Sequence, residues 1–263
     1  MMESRTLSRA MLAVTFLMTI ASCTGVGAAP LSLIERRGTL KVCVNPDAMP
    51  FSSVLDGEQG LHIDLARMFA QELGVRPEFN WVQFRFQAKY KHCDAIMGVG
   101  IFPTTEPGHL KTTEPLFQLE TVLVSKGGRK LAELKDLDGL RVATQSGSLA
   151  HVALLKRPVD VRVSLIHDED VLDAVAKGDV DVGVVSNVAL GWYLKRHPDA
   201  DLEARSASVV QDVTGYPMAV GLRQADAATI KEFNSVIERL KASGKLAAVL
   251  SNYGLKPTMT AAP

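Results

Sequence analysis

Strand and helix patterns alternate along this chain in two series, and this alternation restricts the fold more than any other feature of the sequence. Six short apolar runs have the length and composition of strands, at residues 40–44, 77–84, 94–99, 140–144, 161–166 and 180–185. Runs with the apolar spacing of helices lie between several of them. Gly74 and Gly178 follow two of these runs, at the place where helices commonly end. The pattern is typical of α/β proteins.

A glycine pair separates the two series. It lies in the segment KGGR at residues 126–129, and a further strand pattern and a long helix pattern follow the second series. The repetition predicts two α/β lobes, each a mostly parallel sheet flanked by helices, with a cleft between them. We expect the chain to cross between the lobes near residues 124–128 and again near residues 215–220.

The N-terminus has the composition of a secretory leader. Arg5 and Arg9 precede an apolar stretch at residues 10–21, and small residues continue to Ala29. Residues 1–29 are therefore expected to be a signal peptide. The alternative is a lipoprotein leader that ends before Cys23, with a lipid on that cysteine as the protein's one attachment to a membrane. Both alternatives predict a periplasmic protein.

Two cysteines remain when Cys23 is removed or acylated, and each lies near the start of a strand pattern. They are Cys43 in LKVCV and Cys93 in CDAIM. Two buried free thiols or a disulfide would both fit this arrangement. The oxidising compartment that the leader implies favours the disulfide.

Composition and motifs argue against several classes of function. Lys and Arg together number 29 and Asp and Glu also number 29, without a basic run, so nucleic-acid binding has no support. The histidines show no metal-binding spacing, and Ser146 lacks the preceding glycine of a nucleophile elbow. The run Asp168-Glu169-Asp170 is interpreted as an acidic opening of a helix. We expect no catalytic residues, no metal and no cofactor.

Several segments together resemble a known family. They are GTLKVCVNPDAMPFS, TTEPLFQLETVLVSK, LKDLDGLRVATQSGS, AVAKGDVDVGVVSN and YPMAVGLRQ. In this order the chain resembles type II periplasmic solute-binding proteins of family 3 over residues 31–257. The resemblance implies a first lobe of residues 30–125 and 220–263 and a second lobe of residues 126–219. It also implies a monomer, a small-molecule ligand, and strands that bring Cys43 and Cys93 together in a disulfide.

A narrower resemblance concerns the cysteine-containing segments together with DVGVVSNVALGWYLKRHP. These are similar to solute-binding-like proteins encoded with periplasmic PQQ-dependent methanol and alcohol dehydrogenases. The chain departs from that branch at residues 186–188, where Ser-Asn-Val replaces a Trp-Gly-Pro run. The branch implies a quinoprotein dehydrogenase as partner.

The amino-acid clamp of family 3 receptors is incomplete in this sequence. The resemblance implies an arginine after the third strand for the ligand carboxylate, but residues 100–113 contain no arginine and Glu106 falls there. The aspartate that binds the ligand ammonium falls at Ser186. We therefore expect free amino acids to bind weakly.

Other polar residues near the expected cleft are candidates for ligand binding. They are Asp47, Phe51, Gly98, Thr104, Gln145, Ser146, Ser148, Ser186 and Asn187. Backbone N–H groups in the turn at residues 145–148 could hold an anion, and the alternative is N-capping by Ser146 or Ser148. Phe51 could equally be a core residue.

Three functions remain open. The first is a non-enzymatic binding protein that serves a quinoprotein dehydrogenase. The second is an ABC-transporter receptor for a small organic solute or an amino acid, which would have a permease as partner. The third is an enzyme similar to cyclohexadienyl dehydratase, in which Glu106 would be the acid or base.

Overall fold

The structure is a computed structural model, and the residues it describes are bounded by several gaps. They are residues 31–55, 57, 59–83, 87–88, 91–102, 110–132, 134–157, 159–162, 165–207, 215–223 and 225–255. The leader with Cys23, and the candidates Thr104 and Glu106, lie outside them. Within these ranges no helix has the length and apolar character needed to cross a membrane.

Strands and helices alternate through the described chain. The strands are β1 Thr39–Val44, β2 Asp47–Ala48, β3 Ser52–Ser53, β4 Arg76–Trp81, β5 Ala95–Gly100, β6 Leu110–Thr112, β7 Phe117–Lys126, β8 Arg141–Thr144, β9 Asp160–Arg162, β10 Val182–Ser186, β11 Leu202–Ser206 and β12 Gly215–Arg223. The helices are α1 Leu31–Arg37, α2 Leu61–Glu72, α3 Leu149–Leu154, α4 Asp168–Lys177, α5 Asn187–Arg196, α6 Ala227–Ala242 and α7 Lys245–Asn252.

The larger strands form two parallel groups joined through antiparallel strands. Their order is β4-β1-β5-β12-β7-β10-β8-β9, with β6 paired to β12 and β11 paired to β7. β1 is parallel to β4 and β5 in the first group, and β8 is parallel to β9 and β10 in the second. The two-lobed α/β fold expected from the alternation is confirmed.

The change from one lobe to the other occurs inside β7. Its residues Phe117–Glu120 pair with β12, whereas its residues 121–126 pair with β10 and β11. The partner changes before the expected segment 124–128, because the run FQLETVLVSK continues as one strand and the glycine pair follows its end. β12 begins at Gly215 and pairs only with first-lobe strands and the start of β7.

Each lobe has its own core. Leu65, Phe69 and Phe233 belong to the first, where α2 and α6 cover the sheet. In the second lobe the successive β7 residues Leu123 and Val124 point to opposite faces and join separate clusters, as strand geometry requires. Helices therefore cover both faces of that sheet, and its ligand-accessible part is the edge at which the strands end.

The disulfide is confirmed. Cys43 on β1 and Cys93 before β5 are bonded, and their Cα atoms lie 5.6 Å apart. They meet because β1 and β5 are neighbouring parallel strands. Both cysteines are buried.

Candidate functional site

A cavity of about 240 Å³ lies between the lobes. Its first-lobe side consists of Phe51, Leu119 and Tyr216. The second lobe contributes the ends of β8 and β10 and the starts of α3 and α4, through Thr144, Gln145, Ser148, Leu149, Ala150, Asp168, Val184, Val185 and Ser186. Strand ends and helix starts meet here because consecutive parallel βα units place them at the same sheet edge.

Four of the candidates from the sequence line this cavity. They are Phe51, Gln145, Ser148 and Ser186. Gly98 lines an adjacent cavity of the first lobe, together with Phe51. Asp47 lines a third cavity at the edge of the lobes. Ser146 and Asn187 are not among the residues lining these three cavities, and each has a structural contact instead.

The turn before α3 uses its backbone N–H groups within the protein. Ser146 N–H donates to the Leu165 carbonyl at 3.0 Å, and Gly147 N–H donates to His151 Nδ1 at 2.9 Å. The Ser148 hydroxyl accepts from His151 N–H at 3.0 Å. Ser148 is therefore the N-cap of α3, and the Ser146 and Gly147 N–H groups already have partners within the protein.

Asn187, the first residue of α5, forms hydrogen bonds with β7, the strand shared by the two lobes. Its Oδ1 accepts from Glu120 N–H at 3.2 Å, and its Nδ2 donates to the Gln118 carbonyl at 3.4 Å. Both partners lie in the part of β7 just before it changes lobe. The side chain thus has a structural contact at the crossing.

Asp168 is the carboxylate residue among those lining the cavity, and the sequence did not identify it as a binding candidate. Its carboxylate accepts from the Ser186 hydroxyl at 3.1 Å and from Ser186 N–H at 3.3 Å. Its neighbours in the acidic run have other partners, since Glu169 pairs with Arg196 at 2.7 Å and Asp170 accepts from His167 N–H. The run does open α4, as the sequence predicts, and Asp168 in addition lines the cavity.

The cavity has an acidic character. Burial raises the pKa of Asp168, because a carboxylate loses hydration there, and the hydrogen bonds from Ser186 oppose this rise only in part. None of the described lining residues named above is Lys, Arg or His. A cationic group that entered would meet a carboxylate without a competing protein cation, and its charge would favour ionised Asp168.

Aromatic side chains form the first-lobe side of the site. The rings of Phe102 and Tyr216 lie 4.7 Å apart between centroids, and those of Phe51 and His62 lie 5.1 Å apart. Such contacts hold the rings in place and provide apolar surface for an aliphatic or planar part of a ligand. The site therefore combines one carboxylate with polar hydroxyl and amide groups on one side and aromatic surface on the other.

The lobes also touch at the rim of the cleft. His167 Nε2 lies 3.6 Å from Asp47 Oδ2 across the boundary. These two residues line the cavity of about 200 Å³ at the lobe edge. Asp47 thus lies beside the second lobe and outside the cavity that contains Asp168.

Comparisons with known proteins agree with this architecture. The family model of bacterial extracellular solute-binding proteins, family 3, matches residues 40–256. A probable histidine-binding protein of Neisseria gonorrhoeae is 21% identical over 248 residues, which cover 90% of this chain and 91% of that protein.

A second curated relative is an enzyme, and a solved structure shows the same fold. Membrane-bound lytic murein transglycosylase F of Idiomarina loihiensis is 26% identical, over 85% of this chain and 50% of its own length. The structure of an ancestral cationic amino acid solute-binding protein has a TM-score of 0.72 and 21% identity, over 86% of this chain and 99% of that chain.

Proposed function

Because the chain belongs to the bacterial extracellular solute-binding proteins of family 3, we propose that it is the receptor of an ABC transporter for a solute with a cationic amino group. Asp168 binds that group in the cavity between the lobes. The observation that carries the proposal is the carboxylate of Asp168, which Ser186 holds at the cavity wall. No lysine or arginine is present among the described lining residues.

The position of Asp168 accounts for the incomplete amino-acid clamp. The resemblance implies that Ser186 stands in place of the ammonium-binding aspartate, and in the structure Ser186 donates two hydrogen bonds to Asp168. A carboxylate from the start of α4 thus lies beside Ser186 and supplies the negative charge in this part of the cavity. By its name, the ancestral solved structure is a binding protein for cationic amino acids, which carry the kind of ammonium group proposed for this solute.

The solute is an amine without a carboxylate. A free amino acid would bring a carboxylate into a cavity whose described residues offer no cation, and a buried ion without a partner costs binding free energy. We therefore expect amines to bind more tightly than the amino acids from which they differ only by loss of the carboxylate.

Isothermal titration calorimetry with matched pairs tests this proposal. The pairs are cadaverine and lysine, agmatine and arginine, and histamine and histidine. At least one amine should bind about tenfold more tightly than its amino acid, the factor that about 1.4 kcal/mol provides. Tighter binding of the amino acids would overturn the amine specificity. If the amines bind the Asp168→Asn variant as tightly as the wild-type protein, the proposed role of Asp168 is overturned.

Two other functions receive less support. Neither the matched family nor the relatives point to a quinoprotein dehydrogenase, so that association stays a prediction of the narrower resemblance. Enzymatic activity has a precedent in the transglycosylase and in a structure described as a precursor of cyclohexadienyl dehydratase. The cavity offers one carboxyl group and no described cation to anchor a carboxylic acid substrate, which favours binding over catalysis.

A further inference from the structure

Gln145, in the turn after β8, is held close to Asp168. Its Nε2 donates to the Ile166 carbonyl at 2.7 Å, and Ser146 N–H donates to the Leu165 carbonyl at 3.0 Å. These two hydrogen bonds join the turn to the segment that leads into α4, whose first residue is Asp168. As a result, Gln145 and Asp168 line the same cavity between the lobes.

The hydrogen bond to Ile166 also fixes the orientation of the Gln145 amide. A backbone carbonyl only accepts hydrogen bonds, so the amide nitrogen faces Ile166 and the amide oxygen lies on the other side of the group. The side chain is half-buried. Its Oε1 receives no hydrogen bond from the described residues and is not enclosed by the protein. This oxygen is therefore an acceptor that a ligand in the cavity can use.

Asp168 has one carboxylate oxygen in use and one open. Both hydrogen bonds from Ser186 go to Oδ2. Oδ1 receives none from the part of the chain that the structure describes, and it is not enclosed either. A carboxylate can accept at both oxygens. A cation in the cavity therefore meets one open oxygen of Asp168, and its further N–H groups need acceptors on other residues.

The hydroxyl groups around these two oxygens direct their hydrogens into the protein. Thr144 donates to the Val184 carbonyl at 2.8 Å, so the hydrogen in its 3.3 Å contact with Ser148 comes from Ser148. Ser186 donates to Asp168 at 3.1 Å. These three hydroxyls have no hydrogen left for a ligand, whereas the two open oxygens can accept. This wall suits a group with several N–H donors and no acceptor.

The first-lobe side of the cavity favours a planar cation. Phe51 and Tyr216 supply aromatic rings there. A guanidinium group stacks on aromatic rings, and it is more weakly hydrated than an ammonium, so it loses less on entering a partly buried site. Its five N–H donors lie in one plane. Two of them can reach oxygens of two different residues while the plane lies against a ring.

We propose that Gln145 is a specificity-determining residue that selects a guanidinium group. One N–H of this group donates to Asp168 Oδ1 and another donates to Gln145 Oε1, with the plane of the group against Phe51 and Tyr216. The contact with Asp168 rests on the function proposed above, whereas the selection rests on Gln145. The ligand class is an alkylguanidine without a carboxylate.

Calorimetry with two probes of similar length tests this inference. Butylguanidine has a guanidinium and pentylamine has an ammonium, each on an alkyl chain. The wild-type protein should bind butylguanidine about tenfold more tightly, close to the factor that one hydrogen bond to a charged group provides. Gln145→Met should reduce this ratio to about twofold and leave pentylamine affinity nearly unchanged. Gln71→Met, at an exposed position of α2 and outside the cavity, is the matched control.

The variants separate the two proposals. Asp168→Asn should weaken both probes, whereas Gln145→Met should affect mainly butylguanidine. If Gln145→Met keeps the tenfold ratio while Asp168→Asn weakens both probes, the selection by Gln145 is wrong and the proposed function stands. If the wild-type protein binds pentylamine as tightly as butylguanidine, the guanidinium class is wrong. If neither probe binds, or if Asp168→Asn changes neither, the proposed function fails.

Folding of Gln145→Met is measured in parallel. Its thermal midpoint should be close to that of the wild type, because Ile166 is exposed and its carbonyl can bond to water instead. Retained binding of pentylamine would show that the cavity around Asp168 is intact. An equal loss of both probes would mean that Gln145 holds the turn and does not contact the ligand, and would overturn the proposal.

Discussion

Asp168, the residue proposed to bind the ligand, lowers the stability of the free protein at neutral pH. Its pKa in the folded state is raised by burial. The carboxyl group therefore favours the folded state most at a pH below its pKa in the unfolded chain. This contribution is lost as the pH rises through the raised folded pKa. At neutral pH the ionised group is a cost, which a cationic ligand offsets.

Replacing Asp168 by Asn should stabilise the ligand-free protein at pH 7. The amide keeps an oxygen for the Ser186 hydroxyl and removes the charge that burial disfavours. Urea denaturation should show a higher free energy of unfolding than wild type at pH 7, and a smaller difference at pH 3. The control is Glu169→Gln on the same helix, whose exposed pair with Arg196 contributes at most about 1 kcal/mol. A loss of stability in Asp168→Asn at pH 7 would contradict the account.

Amine affinity should depend on pH through the same group. Binding of cadaverine requires the carboxylate, so affinity should decrease as the pH falls through the raised pKa of Asp168. Titrations at pH 8 and pH 4.5 should differ in the wild type and agree in Asp168→Asn. His167 precedes Asp168 at the start of α4, and a His167→Gln variant controls for its influence on Asp168. A pH dependence that persists in Asp168→Asn would contradict this assignment.

The sequence places some of these residues and misses others for a physical reason. Phe51 lies in the loop that follows β1, and Ser148 lies between β8 and α3. The sequence pattern predicts both segments at the edge of the sheet, so it also predicts these two residues there. The contact of Asp168 with Ser186 joins residues from the start of α4 and the end of β10. Only the packing of α4 against β10 brings the two side chains together, and no local spacing reports it.

At the scale of elements, β7 and the disulfide organise the molecule. β7 belongs to both lobes, because its first four residues pair with β12 and the rest with β10 and β11. Its length could not be predicted from the glycine pair, since the strand ends where pairing partners end. The link from Cys43 to Cys93 ties β1 to the segment before β5 beside the first-lobe cavity that Gly98 lines.

Removing the disulfide should lower the stability substantially. The cysteines are 50 residues apart, and closing a loop of this length corresponds to about 4 kcal/mol in the chain-entropy model. The double variant Cys43→Ala, Cys93→Ala should lose free energy of unfolding of this order in urea denaturation. Wild-type protein under reducing conditions should lose a similar amount. Unchanged stability in both samples would show that the link does not constrain the chain.

At the scale of the whole molecule, the repeated alternation was sufficient to predict the lobes. Two series of strand and helix patterns can bury their apolar faces as two groups of parallel strands, each covered by its own helices. The sequence could not predict which cavity carries charge, because that depends on how α4 packs against β10 in the second lobe. The two-lobed form places one carboxylate opposite aromatic side chains, as suits a receptor for small solutes.

A deletion strain distinguishes a function in solute uptake from a function in a quinoprotein dehydrogenase system. Loss of the gene should abolish uptake of a labelled amine and leave periplasmic quinoprotein dehydrogenase activity and cofactor content unchanged. The Asp168→Asn allele should behave as the deletion, and the Glu169→Gln allele as the wild type. Normal uptake together with reduced dehydrogenase activity would support the partner that the narrower resemblance implies.

The position of a bound amine tests the central claim most directly. A crystal structure of the protein with cadaverine should place one ammonium nitrogen about 2.8 Å from a carboxylate oxygen of Asp168, the usual length of a charge-assisted hydrogen bond. The aliphatic chain should lie against Phe51 and Tyr216. An ammonium bound elsewhere, with Asp168 contacting only Ser186, would contradict the account.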